Sequence, residues 1–169
     1  MPSAPVILNN TPLIAFWLLN RLDILRALYG SVLIPESVQN EFLAVAQASR
    51  QRALNESDWI GVASPTSLQV TSLFAGLDQG EADVLGLAME LSARLVIIDE
   101  RRGRRFAQRI GVPMTGTLGV LLAAKRKNLI STVVQPIDIL QNAGLYFKPE
   151  LINRVLTMAG ESANTFLPP

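Results

Sequence analysis

The sequence LVIIDERRGRR, residues 95–105, gives the strongest indication of the fold of this chain. Its first four residues, Leu95–Ile98, are apolar on both faces, which is typical of an interior strand in a parallel sheet. A polar helix is predicted to follow over Glu100–Ile110, and Gly111 is expected to end it. A buried strand that leads directly into a helix is the building unit of parallel α/β sheets.

The same alternation of short apolar runs and amphipathic stretches continues on both sides of this unit. It predicts a three-layer α/β/α domain with a mainly parallel central sheet, in which right-handed crossovers place the carboxyl ends of the strands along one edge. We expect one domain over residues 1–159 and a loose tail over 160–169. Further strands are predicted at Val6–Leu8, Ser31–Ile34, Ile60–Ala63 and Val112–Thr115, and further helices from Thr11 to about Leu19, at Asp23–Tyr29, from Pro35 to about Arg52, and at Pro65–Ser72, Glu81–Leu91, Leu118–Lys127, Ile137–Asn142 and Pro149–Ala159, with a turn at Asp78–Gly80.

The amino-acid composition excludes several kinds of catalytic site. The chain contains no cysteine and no histidine, which excludes thiol chemistry, Ser-His-Asp triads and nearly every catalytic zinc site. A bound metal would therefore need oxygen ligands, which points to Mg²⁺, Mn²⁺ or Ca²⁺. No apolar run is long enough to cross a bilayer and no signal peptide is recognised, so we expect a cytoplasmic protein. The net charge of +1 does not by itself indicate nucleic-acid binding.

Two polar residues are predicted to sit at strand tips. Asp99 follows the strand Leu95–Ile98 directly, and Asn9 follows the strand Val6–Leu8. Ligand sites of parallel α/β sheets form outside the carboxyl ends of the strands, so both side chains are candidates for such a site. A second interpretation is local, because Asp is a favoured helix N-cap and Asn is a favoured turn residue.

Glu41 is predicted to lie on the apolar stripe of its helix. It is three residues after Val38, one before Phe42 and four before Val45, and a buried unpaired acid on such a stripe is costly. A functional role would explain its position. An acid at the edge of the stripe that reaches solvent, or one paired with arginine, would explain it equally.

Glu81 repeats this pattern in the next long helix. It precedes Val84 and Leu85 by three and four residues and shares their face, on which Ala88 and Met89 are also expected to be buried. Its place in the first turn also suits the helix dipole, which is the alternative interpretation. Asp83 is rotated well away from Glu81 and is expected to be solvated.

Taken together, the topology lets Glu41, Glu81, Asp99 and the Asn9 amide converge at one sheet edge. Crowded carboxylates repel each other, and a divalent cation relieves that repulsion. Without histidine, metal-assisted hydrolysis is the chemistry that this set favours, with Mg²⁺ or Mn²⁺ activating water and stabilising charge on a phosphate.

A dense run of arginines begins beside Asp99 and is a candidate phosphate-binding segment, because the guanidinium group binds phosphate with two parallel hydrogen bonds. The alternative is a solvated helix face. Thr117 is predicted to cap the following helix, and its hydroxyl would lie at the same sheet edge, near metal or phosphate. The arginines of this segment are Arg101, Arg102, Arg104 and Arg105.

The sequence resembles the PIN-domain proteins, in particular the PIN-like group known as domain of unknown function 3368. The resemblance runs from about Val6 to Ala159, and the matching stretches come in the family's order. The most specific of them are IDERRGRR at 98–105 and TGTLGVLL at 115–122; the others are NNTPLI at 9–14, RLDIL at 21–25, VLIPESV at 32–38 and GEAD at 80–83.

The resemblance implies a twisted parallel sheet with acids at one edge that bind Mg²⁺ or Mn²⁺ for endoribonuclease activity. It also implies the roles common among bacterial members, namely a toxin of a toxin–antitoxin pair that forms a homodimer and is neutralised by a small antitoxin. The family's motif acids fall on Glu41, Glu81 and Asp99. The first acid of the family, usually an Asp, falls on Asn9, which weakens a Mg²⁺ site unless Glu100 or a water compensates.

Two alternatives to an RNA-cleaving enzyme follow from the same residues. The first is a degenerate PIN-like domain that binds RNA or a protein without cleavage, because Asn9 lacks the charge of the usual acid. The second is a receiver-like switch domain with a phosphorylated Asp99, but the acidic pair expected at the first strand tip of such domains is missing.

Overall fold

The computed structural model describes residues 3–162 and shows a five-stranded sheet with helices on both faces. The strands lie in the order β3-β2-β1-β4-β5, and every neighbouring pair is parallel. The predicted three-layer α/β/α fold is confirmed. The strands are β1 (Val6–Leu8), β2 (Val32–Pro35), β3 (Ile60–Ala63), β4 (Leu95–Ile97) and β5 (Met114–Thr115).

Ten helices connect and cover these strands within the described residues. Helix α6 packs against β1, β2 and β4, and α3 lies beside it on β2 and β3. Helix α2 also contacts β2 and packs against α8, and α10 packs against α8 as well. The helices are α1 (Asn10–Leu18), α2 (Asp23–Tyr29), α3 (Glu36–Leu43), α4 (Gln47–Asn55), α5 (Leu68–Ser72), α6 (Gln79–Glu90), α7 (Arg101–Ile110), α8 (Thr117–Arg126), α9 (Val134–Asn142) and α10 (Pro149–Met158).

The central strands are buried on both faces. Every residue of β1 is fully buried, as are Val96 and Ile97 of β4. Strands enclosed by two helical layers need apolar side chains in consecutive positions, which is why short apolar runs predicted them well. Pairing of Leu8 with Ile97 brings the ends of β1 and β4 side by side.

The order of the strands reverses between β1 and β4. From β1 the chain moves outward to β2 and then β3, whereas β4 returns to the other side of β1 and continues to β5. Such a reversal opens a crevice beyond the carboxyl ends of the two strands, where their connections diverge. Asn9 and Asp99 follow these two strands and therefore border this crevice.

Several predicted helix starts differ from the structure, including those of α1, α5, α6 and α9. Asn9, not Thr11, is the N-cap of α1, and Pro12 is accepted in the third position because the first helical N–H groups need no partner within the helix. The predicted turn at Asp78–Gly80 is also wrong, since Asp78 is the N-cap of α6 and Gly80 lies in its first turn.

The helix predicted from Pro35 to about Arg52 is two helices. Ala46 adopts a left-handed conformation, with φ 49°, between α3 and α4. The break lets Arg50 fold back, where its Nη1 donates to Phe42 O at 2.8 Å and its guanidinium lies over the rings of Trp17 and Phe42. Arg50 thus satisfies a carbonyl at the end of α3 that a helix end leaves open.

The end of the described chain is attached to the domain. The Glu161 carboxylate accepts from Val133 N at 2.9 Å and lies 3.5 Å from Lys125 Nζ. Residues 163–169 of the predicted tail lie outside the described residues. Across residues 3–162 no helix has both the length and the apolarity to cross a membrane.

Candidate active site at the carboxyl edge of the sheet

Asp99 is held by the beginning of α8. Its Oδ2 accepts from the Thr117 hydroxyl at 2.5 Å and its Oδ1 from Thr117 N at 2.8 Å. Burial raises the pKa of Asp99, whereas the two hydrogen bonds from Thr117 and the charge of Arg104 act in the opposite direction. Both oxygens of the carboxylate are therefore fixed against one residue that is itself fully buried. Thr117 was predicted as the N-cap of α8, but Gly116 takes that place.

Gly116 is needed for this close approach. A Cβ at this position would lie 2.5 Å from Asp99 Oδ1, which is closer than such atoms come in folded proteins. The φ of −119° is open to any residue, so the requirement is space and not backbone conformation. The TGT segment thus gives Asp99 two donors on one side and room on the other.

Glu100 turns toward the tip of β1, where the sequence has Asn9. Its Oε2 accepts from Asn9 Nδ2 at 2.9 Å and its Oε1 from the Thr11 hydroxyl at 2.6 Å. Asn9 is buried and its amide points its NH₂ at the carboxylate, so this residue acts as a donor in the structure. The sequence analysis named Glu100 as an acid that would compensate for the charge missing at Asn9. In the structure the Glu100 carboxylate lies beside the Asn9 amide.

Glu81 is buried and takes part in the cap of α6. Its Oε2 accepts from Asp78 N at 3.1 Å, and Asp78 Oδ1 accepts from Glu81 N at 2.8 Å, which together form a capping box. The pKa of Glu81 is raised by burial and by the charges of Asp78 and Glu100, against the hydrogen bond from Asp78 and the charge of Arg102. Asp78 was missed as a site residue, although the spacing Asp-x-x-Glu is the sequence signal of this motif.

Glu41 lies at the exposed border of the edge and not on a buried stripe. Helix α3 ends at Leu43, and Val45, which was predicted to continue the stripe, is 62% exposed. Asn10 Nδ2 donates to Glu41 Oε2 at 2.9 Å. The pKa of Glu41 is raised by partial burial and by the charges of Asp78 and Glu100, while the Asn10 hydrogen bond lowers it.

Two smaller predictions on α6 also need correction. Met89 was expected to be buried and is 38% exposed. Asp83 faces away from Glu81 but is not freely solvated, because it accepts from the Ser37 hydroxyl at 2.6 Å and from Gln79 Nε2 at 2.8 Å.

The donor set suits a hard divalent cation in its chemistry. Every donor is an oxygen, the charges of Asp78 and Glu100 raise the pKa of Glu41 and of Glu81, and Asn10 Oδ1 is buried without a hydrogen-bond partner in the described chain. As arranged, however, no three acids among residues 3–162 surround one point closely enough to hold an ion. Closing this set around a cation requires rotation of the glutamate side chains, most easily that of exposed Glu41.

The four arginines of α7 separate into two pairs. Arg104 Nη1 donates to Ile98 O at 3.0 Å and Arg102 Nη1 to Gly76 O at 3.1 Å, so these two are anchored. The side chains of Arg101 and Arg105 are exposed and make no hydrogen bond or ion pair within the described chain. A cleft of about 540 Å³ beside Asp99 is lined by Arg101, Arg104 and Arg105.

The acids and the exposed arginines thus lie at the edge where the order of the strands reverses, which is where parallel α/β sheets bind ligands. The family model described as "DUF3368: PIN domain" matches residues 5–161, and the chain belongs to this family. PIN domains are generally nucleases that use divalent metal ions. No curated protein matches the chain significantly.

Proposed function

We propose that this protein is a metal-dependent endoribonuclease that hydrolyses phosphodiester bonds at the carboxyl edge of its sheet. The observation that carries the proposal is the position of Glu41, Glu81, Asp99 and Glu100 around the tips of β1 and β4, where the charge of Glu100 raises the pKa of the other three acids. Arg102 and Arg104 offset part of this repulsion, and a divalent cation would offset more of it.

In this proposal the carboxylates of Glu41, Glu81 and Asp99 would hold Mg²⁺ or Mn²⁺, and the Asn9 side chain would be the fourth ligand. The metal supplies an activated water and neutralises charge on the phosphate. Thr117 keeps the Asp99 carboxylate oriented through two hydrogen bonds. Asn9 and Thr11 hold the Glu100 carboxylate next to the tip of β1, where it would supply the charge that Asn9 lacks.

The arginines of α7 provide the contacts to the nucleic acid in the same proposal. Arg101 and Arg105 lie free beside Asp99 and bind the backbone phosphates next to the bond that is cut. Arg104 keeps the end of β4 in place through Ile98 O and adds positive charge near Asp99. Arg102 is anchored on Gly76 O and lines a separate cleft, which it shares with Arg105, so in this proposal it would contact the nucleic acid beyond the Asp99 cleft.

The first test is calorimetric titration of Mn²⁺ and Mg²⁺ into wild type, Asp99→Asn and Asn9→Asp. We expect the wild type to bind, Asp99→Asn to lose binding and Asn9→Asp to bind more tightly, because each change alters one charge at the edge. Asp58→Asn is the matched control, since Asp58 is exposed and precedes β3 at the opposite edge of the sheet. Wild type and Asp58→Asn should cleave an end-labelled RNA in Mn²⁺, and Asp99→Asn should not.

A domain that binds without cleavage is the second candidate, and two observations favour it. Asn9 replaces the usual acid, and the acids of the described chain do not converge around one point. This candidate predicts that wild type takes up no Mn²⁺ whereas Asn9→Asp does. A metal-dependent cut that Asp99→Asn abolishes would eliminate it. The receiver-like alternative is set aside because the chain belongs to the PIN family.

The cellular role that we propose is that of a cytoplasmic toxin in a type II toxin–antitoxin pair, active as a homodimer and neutralised by a small protein. It rests on family membership. Induced expression should arrest growth for wild type and not for Asp99→Asn, and light scattering should give twice the 18.4 kDa of one chain. A monomer, or arrest by both variants, would contradict this role.

A further inference from the structure

The cleft beside Asp99 has a second wall that comes from a distant part of the chain. Helix α7 contributes Arg101, Arg104 and Arg105, and the segment between α9 and α10 contributes Tyr146 and Lys148. These two residues follow Asp99 by more than 40 positions, so only the fold brings them together. The α9–α10 segment carries no motif that would have suggested a role.

Tyr146 is exposed on an anchored loop. Its side chain is 79% exposed, whereas the next residue, Phe147, is buried at 7%. On the other side, Leu145 N donates to Leu140 O at 3.0 Å after the turn at Gly144. The ring is therefore held at the surface by its neighbours, at the cost of leaving a large apolar area in water.

The cleft also contains uncompensated positive charge. The side chains of Arg101, Arg105 and Lys148 are exposed, and none of them forms a hydrogen bond or ion pair with a described residue. Arg104 adds a fourth cation, and Asp99 is the one acid of the lining. This charge balance fits a polyanion, and a free aromatic ring among the cations fits one with exposed bases.

We propose that this cleft binds a single-stranded segment of RNA next to Asp99, with Tyr146 as a platform on which one base stacks and Lys148 as a phosphate contact. The inference rests on the proposed RNA-cleaving function and names the residues that select the form of the substrate. A duplex keeps its bases stacked internally and offers none to the ring. An acidic peptide would use the cations but not the face of the tyrosine.

The test is fluorescence anisotropy with a labelled 12-nucleotide single-stranded RNA in EDTA, where metal-dependent cleavage does not occur. Because Tyr146→Leu removes the ring on which a base would stack, the variant should bind the RNA about five- to a hundredfold more weakly than wild type. Tyr146→Phe keeps the ring and should bind like wild type. Lys148→Ala should weaken binding and reduce the slope of log affinity against log salt by about 0.7. Lys127→Ala, which removes the same charge at the exposed end of α8, should leave both unchanged.

Three results would overturn the inference. These are absence of RNA binding by wild type, equal affinity of wild type and Tyr146→Leu, and tighter binding of the matching duplex than of the single strand. Competition by polyglutamate that is as strong as competition by unlabelled RNA would indicate an acidic protein partner instead. Thermal unfolding of each variant checks that the substitution left the domain folded.

The binding assay keeps this inference distinct from the proposed function. If Tyr146→Leu binds RNA more weakly than wild type in EDTA but wild type cuts no RNA with Mn²⁺, the cleft binds RNA and the proposed enzyme activity fails. If Asp99-dependent cleavage is found while Tyr146→Leu binds and cuts like wild type, the enzyme activity stands and the cleft inference fails.

Discussion

At the scale of single residues, the candidate site is organised by hydrogen bonds to its carboxylates. Asp99 is held by Thr117, Glu100 by Asn9 and Thr11, and Glu41 by Asn10. Each bond opposes the desolvation that burial imposes on a charged acid. Uncharged donors thus let the acids stay close to each other without an internal cation bridging them.

Removal of the Thr117 hydroxyl should cost stability even though the side-chain shape is kept. Thr117→Val leaves Asp99 Oδ2 without its 2.5 Å donor, and we expect a loss of about 1–3 kcal/mol in the free energy of unfolding. Thr117→Ser, which restores the donor, should recover most of this loss. Urea unfolding at neutral pH compares the three proteins, and equal stability of Val and wild type would show that the bond contributes nothing.

Loss of the Glu81 charge should stabilise the metal-free protein near neutral pH. The pKa of Glu81 is raised by burial and by Asp78 and Glu100, with Arg102 opposing, so its ionised form is disfavoured by folding. Stability from such a raised pKa is complete below the unfolded value, about 4.3 for glutamate, and is lost as pH rises through the folded value. Glu81→Gln keeps an oxygen for the capping box, so only the charge changes.

The expected result is a pH-dependent difference in stability. In EDTA, the free energy of unfolding of Glu81→Gln should exceed that of wild type near pH 7, and the difference should shrink as the pH falls toward 4. Chemical unfolding at several pH values measures it. The Glu56→Gln variant, at the exposed residue that follows α4, should show no such trend, and a difference for Glu81→Gln that is constant with pH would contradict the assigned cause.

At the scale of elements, the approach of α8 to the tip of β4 depends on one glycine. Gly116→Ala would place a Cβ 2.5 Å from Asp99 Oδ1, so either the carboxylate or the start of α8 must move. We expect a loss of about 1–3 kcal/mol from this overpacking, and weaker Mn²⁺ binding. Gly80→Ala is the control for stability alone, because its Cβ would meet its nearest neighbour, Glu41 Oε1, at an ordinary 3.4 Å and alanine favours a helix. Unfolding of both variants tests the overpacking, and calorimetry of Gly116→Ala against wild type tests Mn²⁺ binding.

The sequence predicted the strands better than the ends of the helices, for a physical reason. A strand enclosed on both faces, such as Leu95–Ile98, must be apolar throughout, and that requirement is visible locally. The break between α3 and α4 depends on Arg50 reaching Phe42 O and the ring of Trp17, which only the packed molecule provides. The start of α1 was ambiguous because both Asn9 and Thr11 are favoured caps.

The same distinction separates the parts of the site that the sequence predicted from those that it missed. Asp99 and Asn9 were located by their positions at strand tips, which topology brings to one edge. The direction of the Glu100 side chain depends on partners about 90 positions away, and Tyr146 joins the α7 arginines only through the fold. Neither follows from local periodicity or spacing.

At the scale of the whole molecule, a net charge of +1 conceals a separation of charge. At the carboxyl edge the charges of Asp78 and Glu100 raise the pKa of Glu41 and Glu81, whereas the cleft beside Asp99 is lined by four cations. Asp99 belongs to both regions. An ion held by the acids and a polyanion held by the cations would therefore meet at this residue, which suits hydrolysis of a phosphodiester better than binding of either one alone.

Cation binding should also be visible in the stability of the entire domain. A ligand that binds only the folded state at about 100 times its Kd adds about 2.7 kcal/mol, which for a chain of this size raises Tm by roughly 5–10 °C. Mn²⁺ should produce this rise for wild type, a larger one for Asn9→Asp at the same concentration, and none for Asp99→Asn. Asp58→Asn should behave like wild type, and Ca²⁺ tests whether charge alone suffices. A rise that survives in Asp99→Asn would place the cation elsewhere, because Asp99 borders the crevice between β1 and β4 in which the proposed ion lies.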